Sequence, residues 1–562
     1  MKKILLTLLV FIITMVVIIT IDTYPRQHRG TGIYFDTNQQ TISFIPVDSY
    51  SKPLCIRTNP EYRFISHTII EDSTLPLSEE RFVHEFSILG NLLYEDSKQE
   101  INLKITARYF LNGDMFVIYR LFSTEDLPSP IQLEISFPPS LADKTNIWSF
   151  QYGTNMKPTE MMATEADMIA YTRKSGIHVL PASLQYLEFS DAENKPLQSC
   201  LLGPMGVYKE KEINLVELVN TKFQPVLNNV SNQSASILFS FDLKAYQRAE
   251  SWFFYSTKQL LDYQNENTKT NMLSADLNIR KRLSFDGIYH IATSQFYQGA
   301  TDITYDYYYN YAMWEGRRFM ELYKSQPEET FFYDMFMNAL FTTIKGVNRY
   351  GYWKSNVRSL YLWNQYRVKE GYIDTRYCTD AGFFLLNAYN EFHIQAAIKA
   401  GEEFGQFLID KSKAAQGISI QGQGFFFYDY YYPDQELKTH ASLNHILSEL
   451  NYLFELYLST QNDEFLHLAE QILEGIHLTE KQWIRTDNNY RFKGDLWYAV
   501  FPESNGLTFK DHDYTKTLTY SDLLKAKKNI KTIYNKEDDV INRLIESKKG
   551  FLLREGHTLP ES

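Results

Sequence analysis

Four times in its C-terminal half the chain runs through the same passage. An amphipathic stretch ends in an aliphatic–Tyr or Ala–Tyr pair, a short polar turn follows, and a second amphipathic stretch begins. The pairs are Leu322-Tyr323 ahead of SQPEE, Ala388-Tyr389 ahead of NEFH, Leu456-Tyr457 ahead of LSTQNDE and Ile533-Tyr534 ahead of NKEDD. The tyrosines recur roughly 66, 68 and 77 residues apart, and self-similarity at a near-fixed period marks repeated units that cannot bury their apolar faces alone. The unit here is a helical hairpin, so the chain is expected to stack about four of them into a ring. The period exceeds that of common solenoids. The excess falls between hairpins, in aromatic segments such as QGQGFFFYDYYYPDQELKTH ending at His440. Long loops in a compact domain are more often functional than not, so these segments are expected to line one mouth of the ring.

The N-terminal half carries a different period. INLKITARYF (101–110) alternates apolar and polar residues, Asn112-Gly113 follows, and MFVIYRLF (115–122) resumes the alternation. Two such runs joined at Asn-Gly predict a β-hairpin. Further strands are expected in TISFIPV (41–47), RFVHEFSIL (81–89), IQLEISF (131–137), VLPASLQYLEF (179–189), INLVELV (213–219) and ASILFSFDL (235–243). Many short strands separated by turn residues imply a sandwich or barrel. The expected organisation is an α+β multidomain chain: an anchor at 1–25, a β-rich domain at 30–255, a connector at 256–304 and an incomplete (α/α) toroid at 305–562. The Arg280-Lys281-Arg282 cluster in the connector reads as a solvated face.

Met1-Lys2-Lys3 precedes an apolar run from Ile4 to Ile21. As a helix this run reaches about 27 Å, close to hydrocarbon thickness. No small-residue cleavage site follows, so residues 4–21 read as an uncleaved signal anchor in the cell membrane, with the bulk of the chain outside. A net charge of −12 excludes an ordinary nucleic-acid binder. The three cysteines, Cys55, Cys200 and Cys378, form no metal or redox motif. Most of the 41 Tyr and 38 Phe read as aromatic core packing, and the rest, in loops, as rings of the kind that commonly stack on sugar faces. A polysaccharide or oligosaccharide is therefore the expected partner.

No GxSxG elbow, Walker loop or HExxH is present, and neither a metal nor a cofactor is expected. Asp511-His512-Asp513 reads as an exposed turn. Two clusters carry candidate chemistry. Tyr428, Asp429, Tyr430, Tyr431 and Tyr432 precede His440 and His445 at the start of a helix whose free N–H groups favour an anion. Ser442 or Thr439 is the expected N-cap. In that helix Leu443, Ile446, Leu447, Leu450, Leu453, Phe454 and Tyr457 share one face, and Asn444, Ser448, Asn451 and Glu455 form a polar stripe, read as solvent surface or the lining of a wet cavity. The second cluster is Asp374, Arg376 and Tyr377, where Arg376 suits a bidentate carboxylate clamp or a loop clasp to Asp374. Trp314-Glu315, Arg358 and Trp497-Tyr498 are candidate rim residues.

Phe427-Tyr428-Asp429 and the stretch Thr439 to Leu447 resemble segments of the D-glucuronyl C5-epimerase family, with Asn444 on that family's Asn and Ala388-Tyr389 on its Ala-Tyr. The resemblance spans roughly residues 300–550 and implies an (α/α) ring enzyme that inverts C5 of a uronic acid. Glu436-Leu437-Lys438 stands where the family has Asp-Tyr-His, so its catalytic tyrosine is not matched. Such chemistry needs an acid and a base on opposite ring faces. The candidates are Tyr428, Tyr432 and His440 as catalytic groups, with Arg376, Asp374, Tyr377, Asp429, Asn444 and Trp497 binding substrate. Two alternatives stay open: a glycoside hydrolase or polysaccharide lyase on the same ring, using carboxyls among Asp374, Asp429, Asp434 and Glu503, and a non-catalytic glycan-binding or assembly protein.

Overall fold

A computed structural model describes residues 32–560 except 37, 46–53, 72–82, 96–99, 138–143, 153–165, 174–175, 180–183, 192, 213–214, 221–224, 231–233, 273–286, 288, 293–305, 312, 357–358, 434, 487–491, 505 and 514–516. The expected anchor at 4–21, the Arg280-Lys281-Arg282 cluster, Arg358 and Asp434 lie outside the described residues. Among the described residues no helix is long and apolar enough to cross a membrane.

Among the described residues the N-terminal half forms two antiparallel sheets, one of seven strands and one of thirteen. The strand Ile131–Ser136 shows why they face each other: burial alternates strictly along it, with Ile131, Leu133 and Ile135 inward. These side chains meet Ile105, Val117, Leu187 and Phe253 of the larger sheet in one shared core, which makes a sandwich. The hairpin expected at Asn112-Gly113 is present. Its strands are Glu100–Phe110 and Met115–Ser123, and Gly113 takes φ +92°, the left-handed conformation glycine tolerates best. The strand Gln247–Ser256 breaks the in–out rule, being buried on both faces over nearly all its length. Phe253 and Tyr255 face the sandwich core, whereas Trp252 and Phe254 face the helices. A sheet covered on both sides reads as a continuous apolar run.

Two strands lie beyond the expected β boundary at residue 255. Tyr289–Ala292 and Asp306–Asn310 pair with each other, and the second pairs onto Leu215–Asn220 in the larger sheet. The segment between the halves therefore extends the sheet.

The helical half contains α1 (Met313–Ser325), α2 (Thr330–Gly346), α3 (Leu360–Tyr366), α4 (Thr375–Phe392), α5 (Gln395–Lys413), α6 (Leu443–Thr460), α7 (Asp463–Trp483), α8 (Thr517–Tyr534) and α9 (Asp539–Arg554). The four repeated passages are the hairpins α1–α2, α4–α5, α6–α7 and α8–α9. Their first helices pack side by side in chain order, α1 to α4 to α6 to α8, and the second helices lie outside them. The recurrent tyrosines bridge neighbouring hairpins: Tyr323 meets Phe392, and Tyr534 meets Phe454. Three of the turns close through a left-handed residue: the His393 N–H donates to Tyr389 O, the Gln461 N–H to Tyr457 O and the Asn535 N–H to Lys531 O.

The larger sheet and the first hairpin share one core, in which Phe254 stacks on Phe116 at 4.1 Å and meets Phe331 edge-on at 5.1 Å. A charged seam crosses the same boundary. Glu85 accepts from Arg108 at 2.6 Å and from Lys345 at 2.7 Å, and Arg108 also donates to Asn338. The sandwich thus props the start of the arc, while the later hairpins carry the polar cluster described next.

Candidate active site

The first helices run parallel, so their N-termini gather at one end of the arc. Aligned peptide dipoles give that end a positive potential. Short strand pairings hold the intervening loops there: Ile373–Asp374 pairs with Tyr430–Tyr431, and Ala441–Ser442 pairs with the strand Trp497–Glu503. Asp374 caps α4 by accepting the Tyr377 N–H at 3.0 Å.

Ser442 precedes α6 as expected of its N-cap, yet its side chain does not cap the helix. Its hydroxyl donates to Asp429 Oδ2 at 2.6 Å, and its N–H donates to Asp429 Oδ1 at 2.7 Å. Asp429 is fully buried and takes two further neighbours: His440 Nε2 lies 3.1 Å from Oδ2, off the line of an ideal hydrogen bond, and His445 Nε2 lies 3.6 Å away. Burial alone would raise this carboxyl; facing His445 and His440, together with the Ser442 bond, it lies below the usual range and is an anion.

The other nitrogen of His440 carries the arrangement outward. Nδ1 lies 2.6 Å from the Tyr366 hydroxyl, at the end of α3, and the His440 backbone N–H points at the same oxygen at 3.3 Å. The ring of Tyr366 stacks on His440 and stays partly exposed, and its neighbour Tyr361 is 48% exposed. The result is a line from solvent to core: Tyr366 hydroxyl, His440 imidazole, Asp429 carboxylate. With Asp429 anionic, the consistent tautomer places a proton on Nε2 and leaves Nδ1 to accept from the phenol. Burial pushes the Tyr366 pKa up to about 12, against the lowering effect of the His440 N–H.

A second acid stands beside this line. Asp374 Oδ1 lies 4.0 Å from His445 Nε2, and the His445 ring is fixed through Nδ1 by the Thr375 hydroxyl at 2.8 Å. Burial raises the Asp374 carboxyl, with His445 opposing, although 23% of the side chain still meets solvent. Two carboxyls around one histidine are thus shifted in opposite directions, a usual sign of divided acid and base roles.

The expected site residues separate into groups. His440, Asp429 and Asp374 come together. Tyr428 and Tyr432 line a cavity of about 420 Å³ with Tyr431, Lys411, Gln416 and Pro433, and Tyr432 also packs on the Leu362, Val368 and Tyr372 cluster that takes Tyr366 and Tyr430. Tyr430 meets His440 and His445 edge-on, beside its neighbour Asp429. Arg376 is not an open clamp, because its guanidinium donates to Asp522 at 2.5 Å and to Asn444 O at 2.9 Å and sits 3.5 Å from Asp380. The Asp374 clasp does not form either. Tyr377 is buried in the helical core, its hydroxyl accepting from the Tyr311 N–H. Trp497 lies under Arg485, while the adjacent Tyr498 approaches His440. Asn444 is buried, with its side-chain oxygen lacking a hydrogen-bond partner.

The polar stripe of α6 is neither solvent surface nor the wall of a wet cavity at Ser448 and Asn451. Ser448 bonds Thr379, and Asn451 bonds Asp522 O and Asn529, which makes it a buried seam between first helices. Asp511 and His512 are exposed, whereas Asp513 pairs with the buried Lys548; no group able to hold a metal is found among the described residues. Tyr366 is the functional candidate that the sequence reading missed. The available signal was the aromatic run YLWNQY after Ser359, too short to show a helical period.

No protein-family model matches the chain, and no curated protein does. Among solved structures the chain is similar to an alpha-mannanase of glycoside hydrolase family 76 from Bacteroides thetaiotaomicron, at 12% identity over 44% of this chain and 62% of that one, TM-score 0.33. A family 76 glycoside hydrolase from a bovine strain of the same species gives 9% identity over 77% and 75%, TM-score 0.34. The cellobiose 2-epimerase of Spirochaeta thermophila gives 11% over 45% and 61%, TM-score 0.33. The chain thus spans less than two thirds of the mannanase and of the epimerase.

Proposed function

We propose that this protein is a carbohydrate-active enzyme that moves a proton at a carbon of a sugar ring, with C5 epimerisation of a uronic acid residue as the reaction. The observation that carries the reading is the Tyr366–His440–Asp429 line, with its phenol at the partly exposed end. A carbon acid beside a carboxylate is weak, so its removal needs a base that is generated only as the proton moves. Tyr366 suits this. As its oxygen takes the C5 proton, its own proton passes to His440 Nδ1. The imidazolium that forms faces the Asp429 carboxylate, and the His440 N–H steadies the phenol oxygen.

The electron pair left at C5 delocalises into the substrate carboxylate. The gathered helix N-termini favour that extra negative charge. Lys510, 4.0 Å from the centre of the Phe501 ring that stacks on His440, adds a cation at the same edge. Asp374, its carboxyl raised by burial and partly exposed, is the acid that returns a proton to the other face and gives the inverted centre. Solvent then resets the site: Asp374, partly exposed, regains a proton from water, and the His440 imidazolium loses one outward through the Tyr366 hydroxyl.

Glycoside hydrolysis is the second reading, favoured by the oppositely shifted Asp374 and Asp429. It requires the ionised carboxyl to reach a water or an anomeric carbon. Asp429 has no exposed surface, and its oxygens are engaged by Ser442 and the two histidines, which favours epimerisation. Incubation with uronate-containing polysaccharides in heavy water tests the choice. Deuterium at C5 with chain length retained supports the proposal; shortened chains without exchange support hydrolysis, and shortened chains with unsaturated ends support a lyase.

A further inference from the structure

Glu449 lies on α6, one helical turn beyond His445 and on the same face. It has no exposed surface, and neither of its carboxyl oxygens has a hydrogen-bond partner. The groups around it are named readily. Tyr431 and Asp429 face it from the aromatic loop; Asp374, Thr375 and Arg376 face it from the start of α4. None offers a free countercharge. The Thr375 hydroxyl is bonded to His445 Nδ1, and Arg376 is held by Asp522 of α8 and by Asp380. An ionised carboxylate left unpaired in such a place is too costly to retain, and the group neutralises instead.

We propose that Glu449 is held as an uncharged carboxylic acid beneath the site and acts as a positioning residue, leaving Asp429 as the single anion between His440 and His445 and setting the upper pH at which that arrangement survives. Burial pushes its carboxyl well above the usual range against the opposing Thr375 hydroxyl and Arg376 charge, and the nearby Asp429 and Asp374 push the same way as burial. Were Glu449 to ionise, its charge would repel Asp429 and compete for the two histidines. Their rings would then lose the orientation that directs His440 Nδ1 at Tyr366. The role is distinct from the proton transfers proposed above, because Glu449 touches neither the substrate nor the tyrosine.

Sign and size follow from proton linkage. In the unfolded chain a glutamate ionises near pH 4.3, whereas Glu449 in the fold stays neutral well above that value. Each pH unit between the two values therefore lowers the folding equilibrium constant of the wild type about tenfold relative to a variant with no ionisable group at 449. The full-length protein, Glu449→Gln and Glu449→Met are compared by urea unfolding between pH 5 and pH 8. The expected result is that both variants gain on the wild type about tenfold per pH unit, levelling off where Glu449 ionises in the fold. A ratio that does not change with pH overturns the proposal. So does the failure of both uncharged variants to fold when Glu449→Asp folds, since a charge would then be required.

A second readout rests on the proposed reaction. The alkaline limb of kcat/KM for deuterium exchange should move to higher pH, or vanish, in Glu449→Gln. A limb unchanged in that variant counts against the positioning role. If the stability slope appears and the wild type shows no exchange with any uronate polymer, Glu449 remains a neutral acid and the reaction assignment is what fails.

Discussion

Replacing Asp429 by Asn tests both the packing and the chemistry of the site. The carboxylate accepts from the Ser442 N–H at 2.7 Å and from its hydroxyl at 2.6 Å, and faces two imidazoles with no exposure to water. Hydrogen bonds to a charged group contribute about 1.5–3 kcal/mol each, against about 1 for neutral pairs. Asn keeps an acceptor for the Ser442 N–H but turns a donor toward the hydroxyl and toward His440 Nε2. Weakening one bond, reorienting another and losing the charge facing the histidines should cost roughly 2–4 kcal/mol. The new donor also drives the His440 proton to Nδ1, so that Tyr366 must accept rather than donate. Wrong-tautomer variants of comparable lines lose about 10⁴-fold in rate. The pH dependence has a definite sign. Because the folded-state pKa of Asp429 is lowered, its stabilisation is complete above the unfolded value of about 3.9 and is lost as pH falls through the folded value. Urea unfolding, followed by tryptophan fluorescence, should show the gap at pH 7 and its narrowing in acid. Equal midpoints at pH 7, or a gap that widens as pH falls, would refute the reasoning.

Other substitutions probe the frame. Gly382→Ala places a methyl against the ring of Tyr452, which is pinned by its bond to Gly401 O at 2.6 Å; the overpacking should cost about 1–3 kcal/mol by urea unfolding. Glu85→Ala removes the carboxylate that faces Arg108 and Lys345 at the sandwich–arc boundary. A loss of about 3–5 kcal/mol is expected, and it should shrink in acid, because Arg108 and Lys345 outweigh burial and keep the Glu85 pKa low. Phe254→Ala empties a site between Phe116 and Phe331 and should cost about 3–5 kcal/mol, read from the same melts.

The hairpins could be read from the sequence because each combines a helical period with a recurrent Tyr at its turn, and both signals are local. The same holds for the strand pair around Gly113. What was hidden depends on distant partners. Arg376 looks like an open clamp until Asp522, 146 residues away, closes on it. The polar stripe through Ser448 and Asn451 looks like surface until α4 and α8 cover it. Tyr428 and Tyr430 differ by two residues and were weighed together, yet only Tyr430 lies in the short pairing with Ile373–Asp374, and its ring meets His440. Tyr366 was missed because a seven-residue helix has too few turns to register, and its role exists only through contact with His440, 74 positions later. Asp374, Asp429 and His440 were singled out from residue type and helix-end chemistry, which do not require the rest of the fold, and the structure brings them close together.

The most direct test of the central claim is the rate of solvent deuterium entry at C5 of a uronate polymer by Tyr366→Phe. This change removes one oxygen and keeps the ring that stacks on His440. If the phenol is the proton carrier, exchange should fall by about 10²–10⁴-fold, with the fold intact by urea unfolding. Tyr428→Phe and Tyr432→Phe, whose rings line the cavity beside Lys411 and Gln416, should stay near the wild-type rate. Wild-type exchange by Tyr366→Phe, or loss of exchange confined to the Tyr428 and Tyr432 variants, would contradict the account.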